Sequence, residues 1–221
     1  MRTSYVQLLS ILGLLSSSVQ ALPSNVPSDS ALDRRTQGPG ISLTNESGQQ
    51  VTYYFYNNLW NGDGTAGANF DQPNDPPTVV AAGATTFVPL PTTFKGRVQR
   101  GNTIPATWVE FQISATDGYG HGDVSLEQGC DGAATITPAG GGPSGGFTHD
   151  VVAGAPAAAV VTKPDGTMAL ASTMGNWEGG PNQAAIQYLQ TAVGQSNAYI
   201  TGGTGVPDIM STNNQFDVVF Y

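Results

Sequence analysis

Short apolar runs recur along the chain between clusters of Gly, Pro, Asn and Asp. That rhythm predicts a sandwich or barrel of strands. The runs are Ile41–Thr44, Val51–Tyr56, Thr85–Pro89, Gly96–Gln99, Trp108–Ile113, Asp123–Leu126, Ala134–Thr137, Ala158–Thr162 and Phe216–Phe220. Alternation is clearest at Trp108-Val109-Glu110-Phe111-Gln112-Ile113. Side chains alternate across a strand, so Val109, Phe111 and Ile113 face a core while Trp108, Glu110 and Gln112 share the other side. One helix is expected, Asn182–Val193, where Ala185, Leu189 and Val193 recur at helical spacing and Gly194 is a natural stop. Asn58–Pro77 and Pro138–Gly146 read as long loops, the second as a flexible loop or linker.

The N-terminus has a different pattern. Arg2 precedes the apolar run Val6–Leu15, and Val19-Gln20-Ala21 places compact residues at the two positions a signal peptidase reads. Residues 1–21 are therefore expected to be a signal peptide cut after Ala21. The run is too short for a permanent membrane span. Residues 22–35 are rich in Pro and Ser and end in Arg34-Arg35, as a pro-peptide cut after Arg35 would. The mature chain would then be 36–221, secreted and free of membrane spans.

Composition narrows the function. The 221 residues carry a net charge of −9, with 7 basic and 16 acidic side chains. Removal of residues 1–35 takes three basic and two acidic residues and leaves 4 against 14. A nucleic-acid partner is excluded, because a polyanion requires a basic face. Gly 29 and few charges argue against a helical bundle, while 39% hydrophobic residues suffice for a core. The single cysteine, Cys130, rules out an internal disulfide framework. Burial as an inert thiol is expected; an exposed Cys130 could instead link two chains. Asn45-Glu46-Ser47 is a glycosylation sequon, which makes Asn45 a candidate modification site.

From Pro105-Ala106-Thr107-Trp108-Val109-Glu110-Phe111 onward the chain resembles the thaumatin-like family. Phe94-Lys95-Gly96-Arg97-Val98 before that block, and Asp123-Val124-Ser125-Leu126, Asp208-Ile209-Met210-Ser211-Thr212 and the closing Phe216–Tyr221 strand after it, keep the family's order. The likeness covers about residues 40–221 and is nearest to the small, cysteine-poor secreted members of filamentous fungi, which are associated with spores and cell walls. It implies a mainly β, thaumatin-like sandwich with long loops and one short helix in a reduced second lobe. It also implies an acidic cleft between sandwich and lobe. Carried across residue by residue, Arg97, Glu110 and Asp123 match the cleft set, and Asp208 is a candidate for its last carboxylate. Gln128 stands where another Asp is expected, so one carboxylate is missing.

Glu110 and Asp123 are spaced to face each other across paired strands, with a turn at Gly118–Gly122. Two such carboxyls could be the catalytic pair of a β-1,3-glucanase, part of a sugar-binding cleft without turnover, or, for Glu110 with Arg97, an ordinary cross-strand ion pair. The loss at Gln128 favours binding. Trp108, beside Glu110, and Trp60, in the polar loop, are candidate stacking rings for a sugar. The expected partner is a wall polysaccharide such as β-glucan; a host-cell receptor that recognises a surface-displayed adhesin, invasin or elicitor is the alternative. No cofactor is expected. His121 and His149 form no metal motif, and Asp63, Asp71 and Asp75 fit no calcium-loop pattern.

Overall fold

Val109, Phe111 and Ile113 do point inward: all three are buried, and they form one side of a core closed by a second sheet. The computed structural model describes residues 37–57, 76–175, 181–202 and 208–221, and the backbone of two short strands at 59–60 and 66–67. The signal-peptide and pro-peptide segments, with Ala21 and Arg35, lie outside the described residues, as do Asp63, Asp71, Asp75 and Trp177.

Fifteen strands are described: β1 (Gly40–Asn45), β2 (Val51–Asn57), β3 (Leu59–Trp60), β4 (Ala66–Gly67), β5 (Thr78–Val80), β6 (Thr85–Pro89), β7 (Lys95–Arg100), β8 (Trp108–Gln112), β9 (Gly120–Ser125), β10 (Ala134–Pro138), β11 (Gly145–Gly146), β12 (Val160–Thr162), β13 (Met168–Leu170), β14 (Ile209–Ser211) and β15 (Gln215–Phe220). A five-stranded sheet has the order β11-β10-β15-β1-β6, and a six-stranded sheet the order β14-β9-β8-β7-β2-β5. The first and last long strands, β1 and β15, pair in parallel at the centre of the five-stranded sheet. All other pairings between named strands are antiparallel. Aromatic rings hold the two sheets face to face: Tyr53 lies 5.0 Å from Phe220, and Phe111 6.3 Å from Phe216.

The second lobe is built from residues between β9 and β14. It contains the β12–β13 hairpin and, among the described residues, a single α-helix, α1 (Gln183–Ala192). Asn182 caps α1 by accepting from the Ala185 N–H at 3.0 Å, and Gly194 follows with φ +83. Ala185 and Leu189 bury the helix's apolar stripe. A buried ion pair between Lys163 Nζ and Asp131, 2.8 Å long, pins the β12–β13 hairpin to the sandwich. The other Asp131 oxygen accepts from the Thr107 N–H.

Several expectations need correction. Residues Pro138–Gly146 form no linker: β11 returns onto β10 as a hairpin, with Gly140, Gly141 and Gly142 at positive φ in its turn. The turn expected at Gly118–Gly122 ends sooner, because β9 begins at Gly120. Gly122 sits in that strand because nothing larger fits. A Cβ there would lie 2.6 Å from Ile136 Cδ1 and 2.9 Å from the Glu110 carbonyl oxygen.

Asn45 is the clearest reversal. It is fully buried, and its Nδ2 donates to the carbonyls of Gln49, Val80 and Ala81 at 2.8, 3.0 and 3.2 Å. Its Oδ1 accepts from Ser47 N and Oγ. A glycan on that nitrogen would remove these bonds and require space the fold lacks. Asn45 is a structural pin between β1 and the β5–β6 turn. Cys130 is buried and free, and burial pushes its thiol up to about 11, as an inert core residue requires.

Candidate functional site: an acidic cleft on the six-stranded sheet

Antiparallel pairing places directly opposed residues on the same face of a sheet. On the outer face of the six-stranded sheet this creates one row across four strands. Tyr56 on β2 opposes Arg97 on β7, Arg97 opposes Glu110 on β8, and Glu110 opposes Asp123 on β9. Asp208 lies just before β14, the strand that pairs with β9. Arg97, Glu110, Asp123 and Asp208, 111 residues apart in sequence from first to last, thus converge.

The row divides into a covered half and an open half. Tyr56, Arg97, Gln99 and Trp108 are buried. The Arg97 guanidinium is held between the Tyr56 ring at 3.9 Å and the Trp108 ring at 4.0 Å, and its Nε donates to Gln99 Oε1 at 3.0 Å. Burial lowers the Arg97 pKa to about 10, against the opposing effects of Tyr56 and Glu110, so it remains a cation at neutral pH. Trp108 is only 4% exposed. The expectation that it offers a stacking face to a ligand is therefore corrected: its face is occupied by Arg97. Arg97 itself sits behind the cleft and sets its field without lining it. The backbone of Trp60 pairs with Ala66 in a short hairpin, and its side chain lies outside the described residues.

The open half is a cleft of about 350 Å³. Glu110 and Asp123 line it, joined by Asp208, Gln112, Lys95 and His121. The second lobe contributes Glu127, Tyr199 and Gly202. Two of these are functional candidates that sequence reading missed. Glu127 supplies a carboxylate one residue before Gln128, which is itself buried. A polar residue just past a strand end has no period to mark its direction. Tyr199 is brought beside β9 by a backbone bridge, with its N–H on the Val124 carbonyl at 2.8 Å. It is the aromatic ring that the cleft presents in place of Trp108.

The carboxyls are held away from their ordinary ionisation. Glu110 is pushed up to about 7, first by burial and then by the charge of Glu127, with Arg97 and a Ser125 hydrogen bond opposing. Asp123 is raised well above the usual carboxylate range by burial, then by Glu110, Glu127 and Asp208. Its Oδ1 atom is buried and finds no donor among the described residues. Burial raises Glu127 as well, opposed by the Gly202 N–H. Both carboxyls of the facing pair are therefore shifted toward their protonated forms.

His121 closes the rim. Its Nδ1 meets Asp208 at 2.7 Å and its Nε2 meets Asp117 at 2.9 Å. Only the doubly protonated ring can donate to both carboxylates. Burial alone would lower the His121 pKa, but the hydrogen bonds to Asp208 and Asp117 outweigh it and raise the value. His149 is remote from the cleft and bonds the Ala192 carbonyl. Among the described residues no group of His, Cys, Asp and Glu has metal-binding geometry, and no helix is long and apolar enough to cross a membrane.

Comparisons with known proteins add a structural likeness. No family model matches the chain, so membership of the thaumatin-like family is not established. No curated protein matches either. Among solved structures, the protein elicitor MoHrip2 from Magnaporthe oryzae is 14% identical, with a TM-score of 0.38; the match covers 83% of this chain and 98% of that one.

Proposed function

We propose that the protein is secreted and binds a cell-wall polysaccharide in the acidic cleft without cleaving it, with β-1,3-glucan the first candidate. The supporting observation is the register of β7, β8 and β9, which opens Glu110 and Asp123 into one groove faced by Tyr199 from the second lobe. An aromatic ring beside several carboxyls and an amide, Gln112, is the side-chain set that stacks on a sugar and hydrogen-bonds its hydroxyls. The leader-like N-terminus supports secretion.

Binding is favoured over turnover by the electrostatics. A glycosidase needs one carboxyl held protonated and another ionised, in environments that separate their pKa values. Here burial and the Glu127 carboxylate raise both Glu110 and Asp123, with Arg97 opposing only at Glu110, so neither carboxyl is held in the low, ionised range.

The test is sedimentation with insoluble β-1,3-glucan, alongside reducing-end release from the soluble polymer. Retention of protein without sugar release is expected. Protein left in the supernatant at every salt concentration refutes the proposal. Sugar release that disappears in Glu110→Gln would transfer the assignment to a glucanase. Binding to host cells by a Glu110→Gln, Asp123→Asn protein would favour receptor recognition instead.

A further inference from the structure

We infer that His121 is a proton-operated latch on the rim of the cleft: the imidazolium ties the β8–β9 turn to the entry of β14, and the neutral ring releases Asp208. The latch works in the same way whatever the cleft binds. Separate stretches of chain meet at this one ring. Nδ1 lies 3.0 and 2.7 Å from the oxygens of Asp208, just before β14. Nε2 lies 2.9 Å from Asp117, in the turn that joins β8 to β9. His121 itself is on β9, opposite Gln112 of β8 and Met210 of β14. Continuing the β9–β14 register one step past the Ile209–Gly122 pair sets Asp208 beside Asp123, so His121 reaches Asp208 on the diagonal.

The surroundings of the ring decide which bond gives way. Asp123 and Glu110 share its face of the sheet, Lys95 lies two strands away in the row Lys95–Gln112–His121, and Tyr119 flanks it in the turn. Glu127 and Tyr199 line the same cleft from the second lobe. Asp117 is the better fixed of the two partners. Its Oδ1 accepts from the Tyr119 N–H at 3.0 Å. Asn214 holds the same turn, accepting from the Ser114 N–H and donating to the Gly118 carbonyl. Asp208 is more exposed, 65% against 47%, and its charge acts on Asp123. A neutral imidazole has one N–H and one lone pair. The N–H stays with Asp117, and the lone pair on Nδ1 then faces the Asp208 carboxylate and repels it. Burial works against the imidazolium, but the bonds to Asp208 and Asp117 outweigh it, so release falls above the ordinary histidine value of 6.5. Asp208 lines the cleft, so its release widens the mouth on the β14 side and leaves that carboxylate without its counterion.

Magnetic resonance on the protein recovered from expression of the full chain tests this. Long-range proton–nitrogen spectra of the two imidazoles, His121 and His149, read protonation and tautomer from about pH 5 to 9, and His121→Gln assigns the signals. A doubly protonated His121 is expected at the acid end. It should titrate above the ordinary histidine value into the tautomer with its proton on Nε2. Exchange of the amides that pair β9 with β14, corrected for the intrinsic rate at each pH, should rise by up to about fivefold through the same titration, the upper end for a part-exposed ion pair. Exchange in the central strand β8 should not follow it. Asp208→Asn and Asp117→Asn should each lower the His121 pKa, and Asp208→Asn should also abolish the pH-dependent step in β14 exchange. The wild-type titration needs no variant, so a substitution that misfolds leaves the test intact.

A His121 that titrates at or below the ordinary value overturns the latch. So does a neutral ring with its proton on Nδ1, because Asp208 would then be the partner that is kept. Exchange at β14 that stays flat through the titration overturns it too, since the bridge would hold nothing in place. A step that persists in Asp208→Asn assigns the pH response to another group.

Discussion

Replacing Glu110 with glutamine should make the protein more stable at pH 8 and leave it nearly unchanged at pH 5. Burial and Glu127 push the Glu110 carboxyl up to about 7 from its ordinary 4.5. Between those values the folded protein holds a proton that the unfolded chain has released. The slope of unfolding free energy with pH is proportional to protons bound by the unfolded state minus those bound by the folded state, and is therefore negative. Stability is fully present below about pH 4.5 and declines as pH rises through 7. At about 1.4 kcal/mol per pH unit, Glu110 alone accounts for a decline of about 3 kcal/mol. Asp123 adds in the same direction. So does His121, whose raised pKa gives stability that is lost as pH rises through its folded value.

Glutamine is close in shape to the protonated side chain and cannot ionise, so Glu110→Gln should flatten much of the decline. Urea denaturation followed by tryptophan fluorescence at pH 5, 6, 7 and 8 measures it for both proteins. The variant should exceed wild type at pH 8 by up to about 3 kcal/mol. A wild-type stability that is flat or rising from pH 5 to 8, or a variant less stable than wild type at pH 8, would refute the placement of Glu110 in a carboxyl-rich, weakly solvated floor.

Other parts of the structure give independent expectations. Mass spectrometry of the secreted protein should find no glycan on Asn45, and Asn45→Ala should cost about 2–4 kcal/mol in urea melts, since it strands carbonyls that now share one amide. Gly122→Ala should cost about 1–3 kcal/mol through overpacking against Ile136 and the Glu110 backbone. Lys163→Met leaves Asp131 as a buried charge without its cation and should cost about 3–5 kcal/mol. The double change Lys163→Met, Asp131→Leu should be milder than Lys163→Met alone, by the same melts.

The fold was legible where side-chain periodicity is enforced by burial on one face. Val109-x-Phe111-x-Ile113 marks a central strand, and the observed β8 matches it within a residue. Thr85–Pro89 coincides with β6. The expected helix Asn182–Val193 is α1 with its two caps. Strands of three residues, such as Thr78–Val80 and Ile209–Ser211, are too short to carry a period and were missed. In the site, the pairing of Glu110 with Asp123 could be read from spacing because antiparallel neighbours joined by a turn keep a fixed register. Burial of Trp108 could not, because alternation says which face a ring occupies and not what covers it. Glu127 and Tyr199 depend on a lobe whose course has no local signature. The asparagine of a sequon looks the same whether it points to solvent or pins a turn.

The behaviour of the cleft follows from how one cation is held. Neighbouring strands lie about 4.7–4.9 Å apart, so Glu110 is one such step from Arg97 and Asp123 two. A guanidinium free to swing could follow either carboxyl. This one is fixed by rings on both faces at 3.9 and 4.0 Å and by Gln99 at its edge. Coulomb attraction halves when distance doubles, and Arg97 accordingly acts against the shift on Glu110. No cation opposes the rise at Asp123, where burial and then three carboxylates push the pKa upward. The floor is thus polarised, balanced at β7 and β8 and deficient in positive charge at β9. Arg97 cannot move toward β9 without leaving its stack, nor can His121 without breaking its bridges to Asp117 and Asp208. Protonation relieves this crowding of negative charge, which is the direction in which burial and neighbouring carboxylates shift both Glu110 and Asp123.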